Sequence, residues 1–213
     1  MDLFVKQTYE NLSRYTNSFS EIKCTSHFQF DKLYHTKFRH PDRERHFVVK
    51  IWETGYNVLR LADEIILLRH ELILSHPSMV PMYGLCADDG EHLCAMYVFQ
   101  ASDSVYNLIP RDSFTWLQRI KVALGIASLL KFLHRYVYPQ YPPFVVRNLD
   151  AAHILLDENG YPRLCDFSII TGGILPDRTL DKNDNAHGCY GHMDPYAGKK
   201  GISFSYSSLM NKP

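Results

Sequence analysis

The sequence has no excess of either charge: across 213 residues, 23 Lys and Arg balance 23 Asp and Glu. An electrostatically driven nucleic-acid binder or a polybasic membrane binder needs a local surplus of Lys and Arg, and no cationic tract supplies one. Nor is there a run of about 18 uncharged apolar residues, the length a bilayer-spanning helix requires. The opening MDLFVKQTYENLS lacks the apolar stretch and small-residue cleavage site of a secretory signal, and Asp2 stands where myristoylation needs glycine. Cysteine is sparse: Cys24, Cys86, Cys94, Cys165 and Cys189 are odd in number, scattered and without a CxxC pair. That pattern fits reduced thiols in a cytosolic protein better than a disulfide framework or a zinc site. No internal repeat is present. What remains, 46% apolar and 22% charged residues, is an ordinary globular composition long enough to bury a core.

Along the chain, FQFDKLYHTKF (28–38) alternates apolar with polar residues, and HFVVKIWE (46–53) is a β-branched run around one lysine. His40-Pro41-Asp42-Arg43 between them predicts a hairpin turn. From Asn57 to Ser75 there is neither Pro nor Gly, and Leu61, Ile65, Leu68 and Leu72 predict one face of a helix ended by Pro77. MVPMYGLC and HLCAMYVFQ read as a strand pair joined by a turn at Asp88-Asp89-Gly90. The longest helical signal is SFTWLQRIKVALGIASLLKFLH (113–134). Its expected apolar face is Trp116, Ile120, Ala123, Leu124, Ala127, Leu130 and Leu133, with Asp112 or Ser113 as cap. FVV, HILLD and YPRLCDF follow as short strands around the turn Glu158-Asn159-Gly160, and beyond Thr171 periodicity is lost. This order predicts a two-lobed α+β architecture.

Lys50 in VVK and Asp166-Phe167 are unremarkable singly. Their order carries more: a strand lysine, a helix with an acidic residue, a long helix ending Leu133-His134, a hairpin with ILLD, then Asp-Phe. In that order the chain resembles a protein-kinase domain of the plant receptor-like and receptor-like cytoplasmic kinase type. FTWLQRIKVALGIASLLKFLH is similar to that group's helix E. HPSMVPMYGLC resembles the segment after helix C, GCYGHMDP (188–195) the end of the activation segment, and TNSFSE (16–21) the lead-in to the first strand. The resemblance implies a bilobal kinase-like fold, with an antiparallel small-lobe sheet plus helix C and an incomplete helical lobe. Residues 1–15 would be a lead-in, 16–100 the small lobe, 101–197 a partial helical lobe, and 198–213 a flexible tail in place of helix F and beyond.

The resemblance also fixes expectations for the site. Lys50 matches the lysine that contacts the ATP phosphates, Glu64 its helix C partner, and Asp166 the Mg²⁺-binding aspartate, followed by Ser168 in place of glycine. The stretch matching the glycine-rich loop, KCTSHFQFDKLYH (23–35), has no glycine, so His27, Phe28 and Gln29 would crowd the phosphates. Val146, Arg147 and Asn148 stand at the His-Arg-Asp positions. Asp150 replaces the catalytic-loop lysine, and His153 the Asn of the second Mg²⁺ site. An amide cannot accept a proton as a carboxylate does, and loss of a general base costs about 10²–10⁴-fold. Asp150 reverses a charge beside the transferring phosphoryl group, and imidazole suits Mg²⁺ poorly.

The implied function is therefore that of a catalytically inactive pseudokinase, an adaptor with protein partners such as active receptor-like or cytoplasmic kinases and immune receptors. It would be cytoplasmic, reaching the inner face of the plasma membrane only through partners. ATP and Mg²⁺ would bind weakly at most, and no cofactor is required. The alternatives are a weakly active Ser/Thr kinase using Lys50 and Asp166, or a truncated product without independent function.

Overall fold

The computed structural model describes residues 4–27, 31–40, 43–52, 58–86, 92–135, 141–146, 149–167 and 170–175. The chain opens with a short strand, β1 (Val5–Lys6), and a helix, α1 (Tyr9–Tyr15). A 3-10 turn at Glu21–Lys23 leads into β2 (Cys24–His27), β3 (Asp31–His40) and β4 (Arg43–Trp52). Helices α2 (Val58–Leu68) and α3 (Glu71–Leu74) precede β5 (Met82–Cys86), β6 (Leu93–Val98) and β7 (Ala101–Ser104). Then come α4 (Val105–Leu108), α5 (Trp116–Leu133) and β8 (Val145–Val146). A second 3-10 turn at Ala151–His153 leads to β9 (Ile154–Asp157), β10 (Pro162–Leu164) and β11 (Ile170–Thr171).

The main sheet has the order β1-β5-β6-β4-β3-β2. All its pairings are antiparallel except β1 on β5. β4 is central and buried on both faces, which explains its run of apolar residues. Val48, Lys50 and Trp52 share one face by the two-residue strand period, and Phe47 and Val49 share the other. Val48 and Trp52 join the large core with Leu61 and Leu67 of α2 and with Leu155 and Leu164 of the β9–β10 hairpin. Phe47 and Val49 join a second core beneath α1, with Leu12, Cys86, Cys94 and Met96.

The N-terminal segment, expected as a plain lead-in, is part of the small lobe. β1 extends the sheet edge, and Gly84 makes that approach possible: a Cβ there would lie 2.5 Å from the Val5 carbonyl oxygen. Thr8 caps α1, accepting a hydrogen bond from the Asn11 N–H. Thr16 ends the helix, buried, its hydroxyl donating to the Leu12 carbonyl (2.8 Å) and accepting from the Phe19 N–H (3.1 Å).

Two helical expectations are corrected. The predicted single helix over 57–75 is two helices separated at Arg69-His70; Leu72 is exposed, and Ile73 takes the buried place. In α5 the core takes Val122, Ile126, Leu129 and Leu133, whereas Trp116 and Leu124 of the expected face are 75% and 65% exposed. Its cap is neither Asp112 nor Ser113 but Thr115, in a reciprocal capping box with Gln118. The hairpins at β3–β4, β5–β6 and β9–β10 agree with the sequence reading, and Gly160 in the last turn has φ +77°.

Candidate functional site

Lys50, Glu64 and Asp166, from β4, α2 and the segment after β10, meet in the core. Lys50 Nζ donates to Asp166 Oδ1 (2.6 Å) and to Glu64 Oε2 (3.3 Å). Lys50 and Glu64 have no solvent exposure, and Asp166 is 5% exposed. The ammonium also lies 4.6 Å from the centre of the Trp52 ring, a neighbour two residues along the same strand face.

Each carboxylate has a further partner. The Tyr97 hydroxyl donates to Glu64 Oε1 (2.6 Å). His153 Nε2 stands 3.5 Å from Asp166 Oδ2, an ion pair when the imidazole is protonated. Burial is the largest influence on Glu64 and pushes its carboxyl upward. Lys50 opposes that, the nearby Asp166 adds to it, and the Tyr97 hydrogen bond pulls it back. Burial, then the Glu64 charge, hold the Tyr97 phenol well above its usual value, so it remains a donor. Burial likewise raises the neighbouring Cys165 thiol, which stays protonated and unreactive.

The catalytic-loop positions fare differently. Asp150 turns back onto its own backbone, its Oδ1 accepting from the Ala152 N–H (2.9 Å) at the start of the 3-10 turn. Val146 pairs with Ile170 in the two-stranded ladder of β8 and β11. Arg147, Asn148 and Ser168 lie outside the described residues, as do Phe28 and Gln29 of the glycine-free stretch, residues 188–195 and the tail 198–213. His153 is buried against Asp166 rather than turned to solvent.

β2 packs against β7 and against the Ala151–His153 turn, so the small lobe closes directly on the catalytic-loop segment. The Asn107 side chain of α4 fastens this closure by donating to the Thr25 carbonyl (3.0 Å). Mg²⁺ demands octahedral oxygen coordination with several retained waters. Here Asp166 offers one oxygen already on Lys50 and another facing an imidazole, with almost no solvent. Among the described residues Asp166 thus offers Mg²⁺ no oxygen open to the waters the ion retains, and Lys50 Nζ is held between Glu64 and Asp166.

Sequence reasoning brought Lys50, Glu64, His153 and Asp166 to one place but missed Trp52 and Tyr97. The two-residue spacing from Lys50 signals Trp52. Nothing local signals Tyr97, whose register opposite Val48 becomes visible only once β6 is paired with β4.

An antiparallel small-lobe sheet, a helix whose glutamate pairs with a strand lysine, and an aspartate after a β-hairpin define a protein-kinase fold. Residues 23–205 match the family described as protein tyrosine and serine/threonine kinase, and the chain belongs to that family. It is 33% identical over 128 residues to the serine/threonine-protein kinase PBS1 of Arabidopsis thaliana, covering 58% of this chain and 27% of that protein. Over 210 residues it is 28% identical to the probable serine/threonine-protein kinase PBL25 of the same plant, covering 95% of this chain and 52% of that one. The receptor-like kinase LIP1 is 39% identical over 100 residues, 45% of this chain and 15% of that protein. The chain thus spans about half the length, or less, of these relatives. Among the described residues no helix is long and apolar enough to cross a membrane.

Proposed function

We propose that the chain is a kinase-fold interaction module that does not transfer phosphate and works through protein partners in receptor-kinase signalling. The observation that carries this reading is the closed ion network. Asp166 is out of solvent, with one oxygen on Lys50 and the other facing His153. The altered catalytic-loop residues Asn148, Asp150 and His153 point the same way, since a missing base and a reversed charge both oppose phosphoryl transfer. Partners of the class suggested by the relatives are active receptor-like or cytoplasmic kinases and the receptors they serve, met at the cytoplasmic face of the plasma membrane.

One observation favours a second reading, a weakly active Ser/Thr kinase. The Lys50–Glu64 pair is formed, as phosphoryl transfer in this fold requires. The two readings separate on the purified chain given ATP with Mg²⁺ or Mn²⁺. An interaction module gives a cooperative melt, little shift with nucleotide and no phosphate transfer. Transfer that disappears in a Lys50→Ala chain that still melts cooperatively would establish the second reading instead.

A further inference from the structure

Cys86 and Cys94 are eight residues apart in sequence and form no motif, yet the structure sets them directly opposite each other as the last registered pair of the β5–β6 ladder. Both are reduced, fully buried and on the same face of the sheet, in the core shared with Leu12, Phe47 and Met96. Residues directly opposite in an antiparallel pair have Cα atoms about 4.5–5.5 Å apart. A disulfide needs about 4.4–6.8 Å, so the backbone already holds these thiols within bridging distance. We propose that Cys86 and Cys94 form a reversible disulfide when the protein meets a hydroperoxide, stapling β5 to β6 beneath α1.

The chemistry balances on the two thiols and one peroxide. Once the cover lifts, one thiol gives up its proton to solvent and its thiolate attacks the peroxide oxygen: an S–O bond forms, the O–O bond breaks, and the leaving hydroxide or alkoxide takes up a proton to become water or alcohol. The second sulfur then attacks that sulfenic acid: the S–S bond forms, the S–O bond breaks, and water leaves. The two sulfurs together lose two electrons and two protons, and the peroxide is reduced.

Burial protects most thiols from such a reagent, but this pair lies where its shield is weakest. It is the last registered pair of the β5–β6 ladder among the described residues, and a short helical cover opens locally at smaller free-energy cost than the sheet beneath it. Its cover is the seven-residue α1 and the segment after it, contributing Tyr9, Leu12, Tyr15 and Phe19. Tyr9 closes the hairpin end by stacking on His92 (ring centres 3.8 Å apart, 25° between planes). The return from α1 runs through Asn17, Ser18 and Phe19, all with φ between 53° and 57°. Three consecutive non-glycine residues in the left-handed region form a strained connection, so the cover is poised to lift.

The test treats the purified full chain with hydrogen peroxide, alkylates the remaining thiols and maps the peptides by mass spectrometry. The expected result is a Cys86–Cys94 cross-linked peptide, with Cys24 and Cys165 still alkylated, and a higher melting temperature that dithiothreitol returns to its starting value. Cys86→Ser and Cys94→Ser should each abolish the cross-link and the shift. Because wild-type mapping stands without the variants, misfolding of either leaves the test intact. Two alkylated thiols at 86 and 94 after treatment, over-oxidation of either to the sulfinic acid, or bridges to other cysteines would overturn the proposal.

Discussion

An ammonium buried between two carboxylates is energetically useful only while both ends of each pair survive. At the residue scale this makes Lys50 a structural group as much as a chemical one, because Glu64 and Asp166 have little or no solvent to turn to. Removing one partner of a buried pair costs about 3–5 kcal/mol, since the other charge is left uncompensated. Lys50→Ala is therefore expected to lower the unfolding free energy by about that amount in urea titrations at neutral pH. A loss under about 1 kcal/mol, typical of exposed pairs, would mean that the carboxylates reach water. The histidines make a second expectation. His35 shares a hydrogen bond with His46 (3.3 Å), and its pKa is lowered from 6.5 by burial first, then by His46, Lys23 and Lys37. Glu44, bridging Lys37 and His46, is the nearby acidic group. With its folded pKa below the unfolded 6.5, His35 binds fewer protons in the native state. Its contribution is present above pH 6.5 and is lost as pH falls through the folded value. The half-exposed His76 shifts the same way; Glu64, raised from 4.5, acts oppositely in a window opening near its own unfolded value. Melting curves from pH 8 to pH 5 should thus show wild type losing more stability than His35→Gln below about pH 6.5. Parallel curves would remove His35 as the cause.

At the scale of elements, the strands were the most legible part. Period-two alternation together with turn residues at 40–43 and 158–160 leaves little choice of hairpin. Helices were read less well, for a physical reason visible in α5. It is apolar on more than one side, so spacing alone could not tell Trp116, Ile120 and Leu124 from Val122, Ile126 and Leu129; packing on β10 settled the matter. The break between α2 and α3 has no Gly or Pro to announce it. α1 and β1 escaped notice because a seven-residue helix and a two-residue strand have too little pattern to detect. The left-handed turn after α1 was likewise hidden, since no glycine marks it. That turn supports a prediction. Ser18 is exposed with φ 55°, and its N–H donates to the Ser13 carbonyl (2.7 Å), a bond any residue can make there. Ser18→Gly should relieve the left-handed penalty and stabilise the chain by about 1 kcal/mol, seen as a melting temperature a few degrees higher. Thr16→Val should act oppositely, because it strips the buried hydroxyl that joins the Leu12 carbonyl to the Phe19 N–H. That loss is expected to cost about 1–3 kcal/mol in the same measurement.

For the whole molecule, the interior and the surface lead in different directions. The running order along the chain gathers Lys50, Glu64, His153 and Asp166 through the family it resembles, and strand, helix, 3-10 turn and the segment after the hairpin each deliver one side chain to a shared core. Surface behaviour depends instead on what α5 leaves uncovered. Trp116, Leu117 and Leu124 are 75%, 63% and 65% exposed, and Ile120 adds to the same half of the helix. Residues 116, 120 and 124 follow one another at four-residue spacing, so their side chains form a continuous stripe. Contiguous apolar patches of this kind drive association in water. The chain should therefore self-associate with rising concentration in light scattering. The double variant Trp116→Gln, Leu124→Lys should shift it towards monomer, while its unfolding free energy stays within about 0.5 kcal/mol of wild type, as for other surface substitutions. A wild-type chain that stays monomeric throughout would show that the stripe is tolerated in water. A variant that loses stability as it loses association would show that these side chains hold the fold together rather than joining one chain to another.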